Sequence, residues 1–259
     1  MSLSARLFWG RGLLSMGLQT PIRPSCFSSY PSDEKPKSPR KASKYPRIYT
    51  RTGDGGNSSL YTGERRPKSD GIFDALGTTD ELSSHIGLAY SYAAENQHPY
   101  LDHLERIQCL LQDIGPNIAT PRSSAREVHL RKVEFNPRHT QELEEWIDEY
   151  SKSLLPLKNF ILPGGGKTSA SLHVARSVCR RAERTVAPLV AGEQVDPEAL
   201  KYLNRLSDFL FTISRFAARL DKMEETIYTQ PGEEESNFES HSDGVWKIKK
   251  KSKEKKQDQ

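Results

Sequence analysis

Apolar residues recur along this chain at three- and four-residue intervals in five separated stretches, the spacing that lines one face of an α-helix. The first predicted helix, residues 74–94, carries Leu82, Ile86, Ala89 and Ala93 on one stripe. The second, 100–119, carries Leu101, Leu104, Ile107, Leu111, Ile114 and Ile118. The third, 138–153, sets Leu143, Trp146, Ile147 and Tyr150 against glutamate-rich outer positions. The fourth, 167–191, repeats Leu172, Ala175, Cys179, Ala182 and Val186. The fifth opens on Asp196, Pro197 and Glu198, which read as an N-cap, a proline at the first helical position and an acid in the first turn. It then runs through Leu200, Leu203, Leu206, Leu210, Ile213, Ala217 and Leu220. Five such stripes with few strand signals predict an all-α fold, a five-helix bundle, and ~180 residues suffice for it to bury a core.

The stretch before the helices, YPRIYTRTGDGGNSSLYTGERRPKSDG at 45–71, is rich in Gly, Ser and Thr and holds no sustained period. It reads as an ordered loop with little room for a core strand. Past about Tyr228 the chain turns to Glu, Ser and Lys without periodicity, and 229–259 reads as a disordered charged tail. A Pro/Lys/Ser linker is expected at 33–44, with the folded domain at 45–228.

Charge sharpens this division. The 259 residues carry a formal net charge of +4. Segments 1–32, 33–44 and 247–259 contribute +3, +3 and +5, which leaves −7 on residues 45–246. The folded part is therefore not expected to bind nucleic acid, because phosphate neutralisation needs Lys and Arg on its surface. No uninterrupted apolar stretch reaches the ~18 residues of a membrane-spanning helix. Cys26, Cys109 and Cys179 are too few and too scattered for a disulfide framework or a Cys-based zinc site, which suits a reducing compartment. Residues 1–32 contain Arg6, Arg11, Arg23, many serines and no acid, the composition of a mitochondrial transit peptide, so the mitochondrial matrix is the expected location.

Three stretches offer chemistry. In TRTGDGGNSSL, glycines at 53, 55 and 56 let backbone approach an anion, and Thr50, Thr52, Ser58 and Ser59 supply hydroxyls, with Arg65, Arg66 and Lys68 close behind. In NFILPGGGKTSA (159–170) the Walker A pattern fails, because position 161 is Ile where a glycine is required. That turn either presents N–H groups to an anion or simply caps the fourth helix. On the fourth helix His173, Arg176, Arg180 and Arg184 recur at three and four residues, which is either a solvated basic stripe or an anion site. Asn204, Asp208 and Arg215 fall on one side of an otherwise apolar fifth helix, and polar residues so placed usually pair with something. Two polar seams suggest a site between those helices or a subunit interface. The pair Glu95 and His98 stands at a helix end before Pro99 and makes a poor di-iron motif.

Taken together, IYTRTGDGGNSSL, GTTDELSSHIGLA (77–89), FILPGGG (160–166), LHVARSVCRRAERTV (172–186) and LNRLSDFLF (203–211) resemble the PduO-type ATP:cob(I)alamin adenosyltransferases, most nearly the mitochondrial animal enzyme. The resemblance runs from about Tyr45 to Ala218. It implies a homotrimer of five-helix bundles that moves the 5′-deoxyadenosyl group of ATP to the cobalt of reduced cobalamin, with Mg2+ as cofactor. It also implies delivery of adenosylcobalamin to methylmalonyl-CoA mutase and supply of electrons by a reductase. By position, Thr50, Arg51, Thr52, Gly53, Ser58, Ser59 and Lys68 fall on the family's ATP loop. Arg180, Arg181, Glu183 and Arg184 fall on the ATP-contacting helix, and Asn204 on a further nucleotide contact. Asp80 and Arg176 match a salt bridge between subunits, Asp208 stands beside the nucleotide, and Phe160 matches the aromatic residue that closes the lower face of the corrin. Rival expectations are a carrier that escorts cobalamin without catalysis and a P-loop hydrolase, which the failed Walker A pattern disfavours.

Overall fold

The computed structural model describes residues 48–230 together with 238–240 and 246–248. The expected leader and linker, and the rest of the tail, lie outside the described residues. The described fold belongs to the unit Thr50–Gln259. It contains two short strands, β1 (Asn57–Ser59) and β2 (Arg65–Pro67), then α1 (Gly71–Glu95), α2 (Leu101–Ile118), α3 (Glu127–Lys132), α4 (Arg138–Ser151), α5 (Gly166–Ala191) and α6 (Pro197–Leu220). Two further strands, β3 (Phe238–Ser240) and β4 (Trp246–Ile248), pair antiparallel within the stretch read as a tail. The five long helices are those the apolar spacing predicts. The short α3 is additional, and it buries no residue, so no stripe announces it.

Helix α5 packs between α1 and α6, with α2 against α1 and α4 against α6. Short links at 96–100 and 192–196 make α1 and α2, and α5 and α6, antiparallel neighbours. The stripes meet in one core: Leu82, Ile86, Ile107, Ile114, Leu172, Cys179, Ala182, Leu203, Leu206 and Leu210 are all buried. Each fully buried large aliphatic side chain is worth about 1.5–3 kcal/mol, which far exceeds any helix propensity difference here. Small residues on α5, Ala175, Cys179 and Ala182, let that central helix approach its neighbours.

Caps fix where the helices begin. Asp70 accepts from Ile72 N at 2.9 Å and Asp196 from Glu198 N at 3.0 Å. Helix α5 starts differently, from Gly165 at φ 85°. A Cβ there would stand 2.7 Å from Ala218 Cβ on α6, so only glycine allows the close crossing. A Cβ on Gly166 would lie 3.6 Å from a carboxylate oxygen of Asp221. The turn at 163–166 is thus a packed cap whose helix terminus already faces an acid, which favours capping over anion binding.

Candidate active site

The residues of the expected ATP loop form a hairpin at the start of α1. Strands β1 and β2 pair antiparallel, Ser58 opposite Arg66 and Ser59 opposite Arg65. A loop without strands was expected; three-residue strands with mostly exposed positions carry no readable alternation. The hairpin is pinned by side chains and turns instead. Arg65 donates to the Thr52 carbonyl at 2.8 Å and the Asn57 carbonyl at 3.4 Å, and Lys68 N donates to the Gly56 carbonyl at 2.8 Å. Gly56 turns at φ 76°, and Thr50 and Thr52 hydroxyls lie 2.9 Å apart. The Lys68 ammonium folds over Gly53, 3.2 Å from where a Cβ would stand. A side chain at 53 would push that charge off the loop.

Arg66 has a structural task. Its Nε donates to Glu64 at 2.7 Å, and Asp70 lies 3.4 Å from its Nη1. Glu64 also accepts from Ser124, which ties the hairpin to the α2–α3 link, and the Arg66 hydrogen bond holds the Glu64 carboxyl below its usual range. Tyr61 N donates to the Ala119 carbonyl at 3.1 Å. The hairpin therefore sits by the C-terminal ends of α2 and α5, where Gly71 meets Leu189.

On α5 the basic row divides. His173 is buried and turns inward, its Nε2 3.2 Å from Ser214 Oγ, and burial beside Arg176 pushes its pKa down to about 4. Arg176 is half-buried, 5.8 Å from the Phe211 ring centre, and its Nε is buried without a partner. Burial, and then the charge of Arg180, lower its pKa. Arg180 and Arg184 are exposed, and Arg184 donates to the Arg180 carbonyl at 3.1 Å. The Arg180 guanidinium has no hydrogen-bond or ion-pair partner among the described residues. Arg181 is anchored to Glu81 of α1, and Glu183 accepts from Asn204 Nδ2 of α6 at 2.9 Å. The result is a face where free and anchored guanidiniums alternate beside a fixed carboxylate–amide pair.

The polar seam of α6 also divides. Asn204 joins the arginine face and Asp208 is exposed one turn on. Arg215, buried, turns toward the opposite end of the bundle and pairs with Glu225. Phe160 lies at that end too, before α5, with 84% of its surface exposed. Asp80 is exposed on α1, and no ion pair joins it to Arg176 within one chain. His98, the weak metal candidate, is instead buried between Tyr100 OH at 2.7 Å and Asp221 at 2.8 Å. Among the described residues no group of three or more His, Cys, Asp or Glu is placed to hold a metal ion.

A sequence profile for cobalamin adenosyltransferase matches residues 48–217. The chain belongs to that family. The corrinoid adenosyltransferase MMAB of Mus musculus is 57% identical over 187 residues, 72% of this chain and 79% of the relative. That of Homo sapiens is 53% identical over 195 residues, 75% and 78% of the two chains. A variant PduO-type ATP:corrinoid adenosyltransferase from Lactobacillus reuteri, solved in complex with cobalamin and ATP, superposes with a TM-score of 0.66 at 35% identity, covering 71% of this chain and 100% of that one. Membership makes this cobalamin adenosyltransferase homologue an enzyme of the transferase class, and the family resemblance read from its motifs is borne out.

Within one chain of this family member the structure brings Arg180, Arg181, Glu183, Arg184 and Asn204 together and puts the loop at the same end. It does not bring Phe160 to them. Glu81 escaped the sequence reading although it adjoins Asp80; only its place opposite Arg181 reveals it. Glu225 escaped because it lies in an irregular polar stretch with no period to flag it.

Proposed function

We propose that this chain transfers the 5′-deoxyadenosyl group of ATP to cob(I)alamin. Cobalt attacks C5′, a cobalt–carbon bond forms, and the C5′–oxygen bond breaks with its electron pair leaving on triphosphate. Cobalt is itself the nucleophile, which agrees with a face built of guanidiniums rather than of an activated Ser, Cys or Lys. The observation that carries the reading is Arg180: an exposed, unpartnered guanidinium held in a row whose neighbours Arg181 and Glu183 are anchored. Such a group is free to meet the charge gathering on the leaving triphosphate. Thr50, Arg51, Thr52, Gly53, Ser58, Ser59 and Lys68 would cradle the phosphates through backbone N–H, hydroxyls and one ammonium, while Asn204 and Asp208 border the nucleoside.

Mg2+, when bound, neutralises triphosphate charge. The arginine row would meet the same charge from the protein side. Phe160 exposes an aromatic ring where an apolar partner would cover it, and the lower face of the corrin supplies one. Exclusion of the axial ligand there would ease reduction of cob(II)alamin. Asp80 and Arg176 lack each other within one chain, and we assign them to a bridge between copies in a homotrimer. We place the enzyme in the mitochondrial matrix after loss of residues 1–32, with a reductase upstream and methylmalonyl-CoA mutase as the acceptor of its product.

The deciding assay is anaerobic: ATP and chemically reduced cobalamin are added and the cob(I)alamin absorbance is followed as it converts to adenosylcobalamin. Arg180→Ala should lower turnover by about 100-fold or more, the usual cost of one preorganised donor, and leave the oligomer intact on sizing. Wild-type turnover in that variant would remove Arg180 from the mechanism. Cobalamin binding without conversion in the parent chain would favour a carrier.

A further inference from the structure

Two segments leave the bundle at the Phe160 end: residues 152–165, between α4 and α5, and residues 221–228, after α6. They run antiparallel. Ile161 bridges Ile227, Leu162 N donates to the Thr226 carbonyl at 2.8 Å, and Tyr228 N donates to the Phe160 carbonyl at 2.8 Å. This strap carries Phe160. So short a strand pair is marginal in water unless something beneath it holds both halves.

Arg215 does so. It lies on α6, 9% exposed, and its Nε and Nη2 donate to the two Glu225 carboxylate oxygens at 2.7 and 3.2 Å. The same Nη2 donates to the Leu155 carbonyl at 2.9 Å. Glu225 directly precedes Thr226, the residue paired with Leu162, and Leu155 lies on the approach to Phe160. One guanidinium therefore grips both halves of the strap. Arg219, one turn further along α6, donates to the Ser153 carbonyl. A void of about 10 Å3 bounded by Ile161, Leu162, Gly165, Arg215 and Glu225 puts the pair directly under the strands. Arg215 is desolvated while the Glu225 side chain stays 31% exposed, so the pair adds little net stability; what it provides is a fixed geometry. Lysine, a single point charge, cannot reproduce the three-way grip.

We propose that Arg215 is a positioning residue: through Glu225 and the Leu155 carbonyl it sets the height of the Phe160 ring against the corrin, and so how fully the lower axial ligand is kept from cobalt. The inference rests on the reading of Phe160 above. It assigns to Arg215 of α6 control over the reduction step rather than over adenosyl transfer.

The test uses the full chain with ATP and bound cob(II)alamin, with electron paramagnetic resonance distinguishing four-coordinate from axially ligated cobalt. Arg215→Lys and the near-isosteric Glu225→Gln should each lose most of the four-coordinate signal. Each should also lower turnover from cob(II)alamin under a mild one-electron reductant about tenfold, the scale expected for a displaced positioning group. Turnover from chemically reduced cob(I)alamin and the KM for ATP should stay within about twofold, because neither depends on the ring's height. The double variant should fall no further than the worse single one, since the two residues form one device. A wild-type four-coordinate signal in both single variants overturns the proposal, as does an equal fall in cob(I)alamin turnover and ATP affinity. Phe160→Ala tells the two failures apart. If it loses the signal while the Arg215 and Glu225 variants keep it, the positioning inference alone fails; if it keeps the signal, the reading of Phe160 fails and this inference with it.

Discussion

His173 sits on a helix row of arginines yet belongs to the interior, and its titration reports on that. Its pKa is pushed down to about 4, first by burial and then by Arg176, with Glu225 acting weakly the other way. The unfolded chain, with an ordinary histidine, takes up the proton below about pH 6.5 while the folded chain resists it, so protonation favours unfolding. Stability should therefore fall as pH drops from near 6.5 toward 4, by on the order of 1 kcal/mol at pH 5 from this group. Denaturant midpoints at pH 7 and pH 5 check it. His173→Gln should show a smaller drop than the parent, and an equal drop would assign the acid sensitivity to other groups. The same residue shows where sequence reading ends. Spacing places His173 in line with Arg176 and Arg180, but an inward turn of one position decides between a ligand-facing imidazole and a core one hydrogen-bonded to Ser214.

Elements were legible in proportion to what they bury. Helices α1, α2, α4, α5 and α6 announce themselves because Leu82, Ile107, Leu143, Leu172 and Leu206 and their neighbours must all reach one core. The start of α6 was legible as well, through Asp196 and Pro197. Asp196→Ala should cost about 1 kcal/mol in chemical denaturation and leave turnover unchanged, because the cap touches only the first turn. A loss well above 2 kcal/mol would mean that Asp196 also supports the cavity it lines with Asn117, Arg122 and Phe135. The β1–β2 hairpin was not legible as strands. Its register depends on Arg65 reaching the Thr52 carbonyl and on Gly56 at positive φ, contacts that leave no periodic trace. The strap was invisible for the same reason: its organiser, Arg215, reads as a polar interruption until Glu225 and Leu155 are seen around it.

For the whole molecule, the decisive relation is the distance between the two ends of α5. The hairpin lies by its C-terminal end and Phe160 on the strap beside its first turns, at opposite ends of a 26-residue helix about 39 Å long at ~1.5 Å per residue. A nucleotide resting on one copy's loop would not place its C5′ over a corrin seated on the same copy's Phe160. Under the proposed homotrimer the loop of one copy and the Phe160 end of the next would form each site, a head-to-tail arrangement. Mixing two variants tests this. Lys68→Ala disables a loop and Phe160→Ala disables the corrin end, so either alone should turn over cob(II)alamin poorly. After the two are unfolded and reassembled together, a shared site recovers an intact loop and an intact Phe160 in about a quarter of positions, and activity should rise toward that fraction. If one chain supplies both parts, every site stays defective and mixing restores nothing. Recovered activity would also fit the proposed bridge between Asp80 and Arg176 of neighbouring copies, which would bring loop and ring onto one substrate pair.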